Sequence, residues 1–395
     1  MNSEEAKSQA EAREQSFRTQ LLAWYEEHAR DLPWRETRGP YAVWLSEIML
    51  QQTRVAAVIA HYHEFLRRFP TVEKLARARE ASVLAAWSGL GYYRRARMLH
   101  AAAKIVARER GGMFPETEEG LRELPGVGRY TAAAVASIAF GEPVAVVDGN
   151  VERVLQRVSG RRLAGEEFWL ASNALLDRER PGDFNQAMME LGATVCTPRS
   201  PACLTCPVLE LCVTRGEMAG GEKAPRQKKR EIHYALDHRT DDSRGGKVFL
   251  VQRARDARLM PGMWELPEVD DPSGAKARSN GVGEIAALKA LRHPKATRPS
   301  TAGRLPKATR QPKATRQPKA TRGGGNDVCI TLKHSITVTD YTVGVWRTYA
   351  PPKVEGKWIQ VEKLSRIALT GLARKILRRA EILAPHPDRS RRHLK

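Results

Sequence analysis

No run of apolar residues in this 395-residue chain approaches the ~20 needed to cross a bilayer as a helix, so a membrane-spanning protein is not expected. The N-terminal stretch MNSEEAKSQAEAREQ lacks both the apolar core of a secretory signal and the acid-poor character of a transit peptide. Acidic residues are in deficit: 45 Asp and Glu stand against 66 Lys and Arg, a formal net charge of +21. That imbalance points to a polyanionic partner, nucleic acid before anionic membrane. A cytoplasmic, nucleoid-associated location is the expectation. Cysteine is scarce, and four of the five fall between Cys196 and Cys212. In a reducing compartment such clustering argues for metal rather than disulfides.

What is present divides the chain. Phe17, Leu21, Leu22, Trp24 and Tyr25 make residues 17–27 an amphipathic helix that must dock on a larger body. From Tyr41 to about Val195 the pattern is helical throughout, broken by Gly and Pro turns, and predicts an all-α body of about ten helices. A polar, basic stretch at 218–232 suits an interdomain linker, either close to a polyanion or simply a solvated tether. Beyond it the period changes. Lys247–Gln252, Ile330–Leu332, Ser335–Thr339 and Tyr341–Trp346 predict strands, and Val361–Ala380 a closing helix, so 233–385 forms a smaller α+β domain. Inside it, Pro-Lys-Ala-Thr-Arg recurs four times between 294 and 322. An insertion at about 293–325 without large apolar residues cannot bury a core and is expected to be disordered.

Three stretches carry chemistry. Tyr41–Thr53 predicts a helix apolar nearly all round, with Glu47 as its one charge. A lone buried carboxyl is either ion-paired for packing or pushed upward in pKa until it can donate a proton near neutrality. Leu124-Pro-Gly-Val-Gly128 is a turn feeding an Ala-rich helix over Tyr130–Phe140. Its glycines, Gly126 and Gly128, suit either close helix packing or a grip on a phosphate. An apolar run from Val144 to Val147 then delivers Asp148 onto Gly149-Asn150, where it can cap a following helix. Third, Cys196-x6-Cys203-x2-Cys206-x5-Cys212 offers four thiolates and no His. Structural zinc favours two short Cys knuckles, whereas one CxxC with longer gaps fits a loop wrapped around an iron–sulfur cube; zinc is the alternative.

Trp44-Leu-Ser-Glu-Ile-Met-Leu-Gln-Gln-Thr53, Gly89-Leu-Gly-Tyr-Tyr93, the glycine turn, Val147-Asp-Gly-Asn150, Phe184–Gly192 and the cysteine loop together resemble the MutY-type adenine DNA glycosylases of the endonuclease III superfamily over residues 20–215. The resemblance implies a helix-hairpin-helix body: a six-helix barrel at 28–144, with 1–27 and 145–217 forming a domain around a 4Fe–4S cluster held by the four cysteines. It implies a monomer acting on double-stranded DNA that hydrolyses the N-glycosidic bond of adenine opposite 8-oxoguanine or guanine, after flipping the adenosine out. In that scheme Glu47 protonates adenine at N7 and Asp148 stabilises the sugar cation, as carboxylate pairs do in glycosidases. Asn150 and Tyr130 hydrogen-bond around them, and Arg35 and Trp34 line the adenine pocket. Gln52 and Tyr92 wedge into the base stack, although plain core packing is the other reading of Tyr92.

Where the superfamily's bifunctional members carry a Schiff-base lysine after the hairpin, this chain has Tyr130, so the expectation is a monofunctional enzyme. Leu259–Pro267 resembles a segment of Nudix-like domains, yet no glutamate-rich helix follows, which favours a lesion-recognition module over a hydrolase. His334 stands nearest to the residue that reads oxidised guanine in that resemblance. Two other readings stay open at this point: an endonuclease III-like lyase for oxidised pyrimidines, and a non-catalytic iron–sulfur DNA-binding protein.

Overall fold

A computed structural model places the chain in two compact units, one of Met1–Pro225, Ser365–Gly371 and Pro385–Lys395, the other of Arg226–Leu364 and Leu372–Ala384. The structure describes residues 3–218, 228–240, 246–257, 259–270, 328–336 and 339–384. The repeat insertion at about 293–325, expected to be disordered, and most of the linker lie outside the described residues. No helix among the described residues is long and apolar enough to cross a membrane.

The first unit is helical: α1 (Ser3–His28), α2 (Pro40–Leu50), α3 (Val55–Arg68), α4 (Val72–Arg77), α5 (Glu80–Trp87), α6 (Arg94–Glu109), α7 (Glu118–Arg122), α8 (Arg129–Val135), α9 (Gly149–Ser159), α10 (Glu166–Leu175) and α11 (Pro181–Thr194). The amphipathic face of α1 finds its partners far along the chain. Phe17, Leu21, Leu22 and Tyr25 share one core with Val151 and Leu155 of α9, Phe168 of α10, Phe184 and Met188 of α11, and Val208 beyond the first cysteines.

Helix α2 is buried on seven successive residues, Val43 to Met49, which includes Glu47. It stops at Leu50, short of the expected Thr53, because Gln51 leaves the helical region (ψ 112°) and Gln52 is left-handed (φ 53°). Between α7 and α8 the chain turns through Gly126 at φ +79°, where a Cβ would lie 2.5 Å from that of Met98. Only glycine fits there. The Ala-rich helix also differs from expectation: after α8 it widens into a π-helical turn, Ala136–Phe140, ended by left-handed Gly141. Ser137 Oγ bonds back to the Ala133 carbonyl at 2.7 Å, the kind of side-chain intrusion that loosens a helical ladder.

The second unit contains β1 (Lys228–Ala235), β2 (His238–Arg239), β3 (Lys247–Gln252), β4 (Trp264–Glu265), β5 (Glu268–Val269), β6 (Val328–Ile336), β7 (Thr339–Trp346), β8 (Lys357–Gln360) and α12 (Gly371–Arg379). One sheet runs β5-β1-β7-β6, and β3 pairs with β2, β4 and β8 in another. Two expectations are corrected. The end of the supposed linker, 228–232, is the start of β1, which runs parallel to β7 from Lys228↔Thr339 to Ala235↔Trp346. The closing helix is split into a 3-10 stretch, Val361–Arg366, and α12, which buries Leu372, Ala373, Ile376 and Leu377.

Candidate active site

Two helices distant in sequence converge on one carboxyl. Glu47 on α2 is enclosed, 6% exposed, and its partner is not an arginine: the Tyr130 hydroxyl, from the first turn of α8, donates to Glu47 Oε2 at 2.7 Å. The same hydroxyl lies 3.4 Å from Met189 Sδ. Burial pushes the Glu47 carboxyl up to about 7, a rise that the negative charge of Asp148 assists and that the Tyr130 hydrogen bond and Arg35 oppose. Tyr130 itself is pushed well above its ordinary range by burial and by the charges of Glu47 and Asp148. It therefore stays a phenol donor at every working pH. A carboxylic acid partly protonated at neutrality, with a second carboxylate close enough to act on it, is the arrangement that separates an acid role from a charge-stabilising one.

Asp148 caps α9, as its position suggested. Its Oδ1 accepts from the backbone N–H groups of Asn150 (2.9 Å) and Val151 (2.8 Å), and its Oδ2 from Asn150 Nδ2 (2.9 Å). The apolar run leading to it is clamped by Asn185, 1% exposed. Asn185 Oδ1 accepts from the Val146 N–H at 3.0 Å, while its amide donates to Val144 O and Ser137 Oγ, both at 2.9 Å. On the other side, Asn150 Oδ1 accepts from Arg153 Nη2 at 2.8 Å. Arg153 also reaches the carbonyls of Gly192 (2.6 Å) and Cys196 (2.7 Å). Helices α9 and α11 cross tightly here: a Cβ on Gly192 would stand 2.6 Å from Asn150 Cβ and 2.9 Å from its carbonyl oxygen.

Beside Glu47 lies an ion-paired group that the sequence reading missed. Glu190 of α11, 1% exposed, takes Nη2 of Arg30 and Nη2 of Arg35, each at 2.8 Å. Burial opposes its ionisation, but the two guanidiniums outweigh burial and hold the carboxyl below its ordinary value. Glu190, Arg30, Asn185 and Arg153 gave little sign in isolation. A lone acid in the otherwise uncharged Phe184–Gly192 run was the one usable signal, the same signal that marked Glu47.

The remaining expected residues fall in different places. Arg35 joins the site through Glu190, and its guanidinium lies 5.3 Å from the centre of the Tyr25 ring. Trp34 is buried, edge-on to Tyr62 with ring centres 5.7 Å apart. Gln52 is exposed and Tyr92 is 47% exposed, which removes the core-packing reading of Tyr92. Gly126 and Gly128 are exposed on the turn before α8. There Arg129 forms a bidentate pair with Glu166 (2.7 and 2.9 Å). His334 belongs to the second unit, on β6 opposite Tyr341 of β7. Burial and the nearby Lys375 lower its pKa.

All four cysteines of the 196–212 loop line one cavity, together with Val154, Arg157 and Val158 of α9 and Leu191 of α11. Arg157 Nη1 approaches Cys196 Sγ at 3.3 Å and holds the Thr197 carbonyl at 2.8 Å, and the Cys212 thiol bonds to the Arg157 carbonyl at 3.3 Å. Four soft donors around a shared cavity with no histidine fit an iron–sulfur cluster.

Residues 45–165 match the HhH-GPD superfamily of base excision DNA repair proteins, and residues 196–212 match the iron–sulfur binding domain of endonuclease III. The cofactor is a 4Fe–4S cluster. The chain is 48% identical over 204 residues to the adenine DNA glycosylase of Mycobacterium tuberculosis, covering 50% of this chain and 67% of that protein. It is 39% identical over 345 residues to the Rattus norvegicus adenine DNA glycosylase (72% of this chain, 66% of that one). The human adenine DNA glycosylase is 41% identical over 333 residues (68% and 60%). The chain thus spans less than two thirds of the length of these mammalian relatives. With 48% identity over two thirds of the Mycobacterium tuberculosis protein, beside its match to the HhH-GPD superfamily, the chain belongs to the adenine DNA glycosylase family.

Proposed function

We propose that the chain is a monofunctional base excision repair glycosylase that removes adenine from double-stranded DNA where it faces 8-oxoguanine or guanine, acting as a monomer. The observation that carries this reading is the enclosed Glu47 carboxyl, brought to about 7 and held by the Tyr130 hydroxyl. The target adenosine leaves the duplex, since its glycosidic bond is inaccessible while stacked. Glu47 donates its proton to the adenine ring at N7. The C1′–N9 bond breaks with its electron pair going to adenine, and the Asp148 carboxylate stabilises the cation left on the sugar. Water adds to C1′ and surrenders a proton, which restores Glu47. Asn150 holds Asp148 in position, and Arg35 with Trp34 walls the pocket. Gln52 and Tyr92 enter the stack, and the Gly126–Gly128 turn grips the backbone. A phenol cannot form an imine, so Tyr130 supports base removal without strand cleavage.

In this reading 28–144 is a barrel that binds the flipped base, and 1–27 with 145–217 is the cluster domain. Cys196, Cys203, Cys206 and Cys212 would hold the 4Fe–4S cluster, which would cross-link the loop. The second unit acts as a Nudix-like module that senses oxidised guanine, with His334 as the residue closest to that task.

Single-turnover assays test the proposal on duplexes carrying adenine opposite 8-oxoguanine, adenine opposite guanine, or thymine glycol, with Glu47→Gln alongside. Adenine release is expected from the first two and not from Glu47→Gln. Release unchanged in Glu47→Gln would sink the mechanism, and processing of thymine glycol would favour the lyase reading. Efficient borohydride trapping of a covalent protein–DNA adduct would contradict monofunctional action. His334→Ala should narrow the preference for 8-oxoguanine over guanine.

A further inference from the structure

Gln52 and Tyr92 both stand on left-handed backbone, at φ 53° and 48°, a conformation that side chains other than glycine keep only where the surroundings enforce it. One guanidinium does so on both loops. Arg95 Nη1 donates to the carbonyls of Ile48 (2.8 Å), Met49 (3.0 Å) and Gln51 (2.6 Å). Its Nη2 donates to Thr53 Oγ1 (3.0 Å) and to the carbonyls of Leu90 and Gly91 (both 3.3 Å). The acceptors thus bracket Gln52 on either side and lead directly into Tyr92. The cation also lies 5.4 Å from the centre of the Tyr92 ring and 5.5 Å from that of Trp87, within range of a cation–π attraction. Two further bonds stiffen the assembly: Trp87 Nε1 to Gly91 O at 3.1 Å, and Gln51 Nε2 to Thr131 Oγ1 at 3.1 Å, next to Tyr130. Burial lowers the Arg95 pKa to about 10, which still leaves it cationic at neutral pH.

We propose that Arg95 is a positioning residue that locks the Gln52 and Tyr92 loops into one rigid two-pronged wedge, which stabilises the nucleotide in its extruded state. The proposal rests on the reading of the chain as a base-flipping glycosylase. A preformed wedge loses little conformational freedom on entering the stack, and unstacking a base step is the main energetic obstacle to extrusion. Lysine cannot replace Arg95: three donors on a flexible stem cannot span two loops as a planar fork of five does. Because the carbonyls held by Arg95 end the helix that carries Glu47, the wedge is also fixed relative to the acid.

A mutant cycle tests this, with two readouts on duplex substrate: single-turnover adenine release, and the fluorescence of 2-aminopurine beside the target adenine, which rises on unstacking. Arg95→Lys is expected to lower both by about tenfold, within the range of coupling seen between directly contacting groups. In a Gln52→Ala/Tyr92→Ala background, where no wedge remains, it should change either by less than about twofold. The deficit should also shrink on a target adenine that is already unstacked, opposite an abasic site. Equal losses in both backgrounds, or an undiminished loss on the unstacked target, would mean that Arg95 only stabilises the fold, and the proposal would be overturned. If Arg95→Lys does not fold, Thr53→Val removes one acceptor of Arg95 together with the Thr53 bond to the Gln51 carbonyl. A smaller loss with the same non-additivity supports the wedge, and an additive loss refutes it. Failure of the unmodified protein to release adenine from any duplex would count against the proposed function, while its fluorescence compared with that of Arg95→Lys would still decide the wedge.

Discussion

Replacing Glu47 by glutamine should stabilise the protein while abolishing its chemistry, and the size of the effect follows from the burial of one carboxyl. In the unfolded chain this group titrates near 4.5; in the folded protein it does so at about 7. Between those values the folded state keeps a proton that the unfolded state has released. Stability therefore falls as pH rises through this window and reaches its full deficit above about 7. At 1.36 kcal/mol per pH unit the deficit amounts to about 3 kcal/mol at pH 8. Glutamine has no charge to desolvate and can still accept from Tyr130, so Glu47→Gln escapes the loss. Its melting temperature should match that of the unmodified protein near pH 4.5 and exceed it at pH 8 by roughly 6–12 °C, at about 2–4 °C per kcal/mol for a unit of this size. Adenine release should meanwhile drop by about a hundredfold or more, the usual loss when a general acid is removed. The rate of the unmodified protein should fall about tenfold per pH unit above 7. Equal melting temperatures at pH 8, or an excess independent of pH, would refute the assignment of a protonated buried acid.

Four further outcomes follow from the same geometry. Tyr130→Phe removes the hydrogen bond that favours the charged form of Glu47, so the basic limb of the pH–rate profile should move to higher pH; an unmoved limb would show that the bond does not tune the acid. Gly192→Ala drives a methyl group to 2.6 Å from Asn150 Cβ and should cost about 1–3 kcal/mol of stability with a rate loss of about tenfold or more through displaced Asp148; wild-type single-turnover rates would contradict the tight crossing. Glu190→Ala strands Arg30 and Arg35 beside one another and should destabilise by about 3 kcal/mol in urea unfolding, whereas Glu190→Gln, which keeps an acceptor, should cost less. Cys203→Ser should lower the iron and sulfide content together with the melting temperature, and stoichiometric zinc with neither iron nor sulfide in the intact protein would sink the cluster.

Much of this site was legible because its signals are local. Glu47 stood out as one charge in a helix apolar on every face, and the structure encloses it. The cysteine spacing, one CxxC with longer gaps, suited a cluster loop, and the thiols line one shared cavity. Asp148 announced itself by following an apolar run at the start of a helix. Arg95, Asn185 and Arg153 were invisible for the opposite reason. Each acts by reaching backbone carbonyls on segments distant in sequence, and one arginine among many basic residues carries no mark of which carbonyls it will meet. The start of β1 reads as linker because Lys228, Lys229 and Arg230 are charged residues that the strand leaves exposed, and only its end, from Ile232, has a strand-like composition. Its pairing is with β7, more than a hundred residues away, so no local pattern specifies it. Helix α2 was drawn too long because Gln51–Thr53 has ordinary helix propensity. Tertiary bonds from Arg95, not composition, end it.

The shared core of α1 has a consequence for the birth of the protein. Phe17, Leu21, Leu22 and Tyr25 leave the ribosome before their partners in that core, which begin at Val147 and extend to Val208. At about 5–20 residues per second, the roughly 120 residues between Tyr25 and Val147 take about 6–25 s to synthesise. Throughout that interval the apolar stripe lacks the core partners that later cover it, and a long loop must finally close. Helix α1 is made well before the elements it packs on.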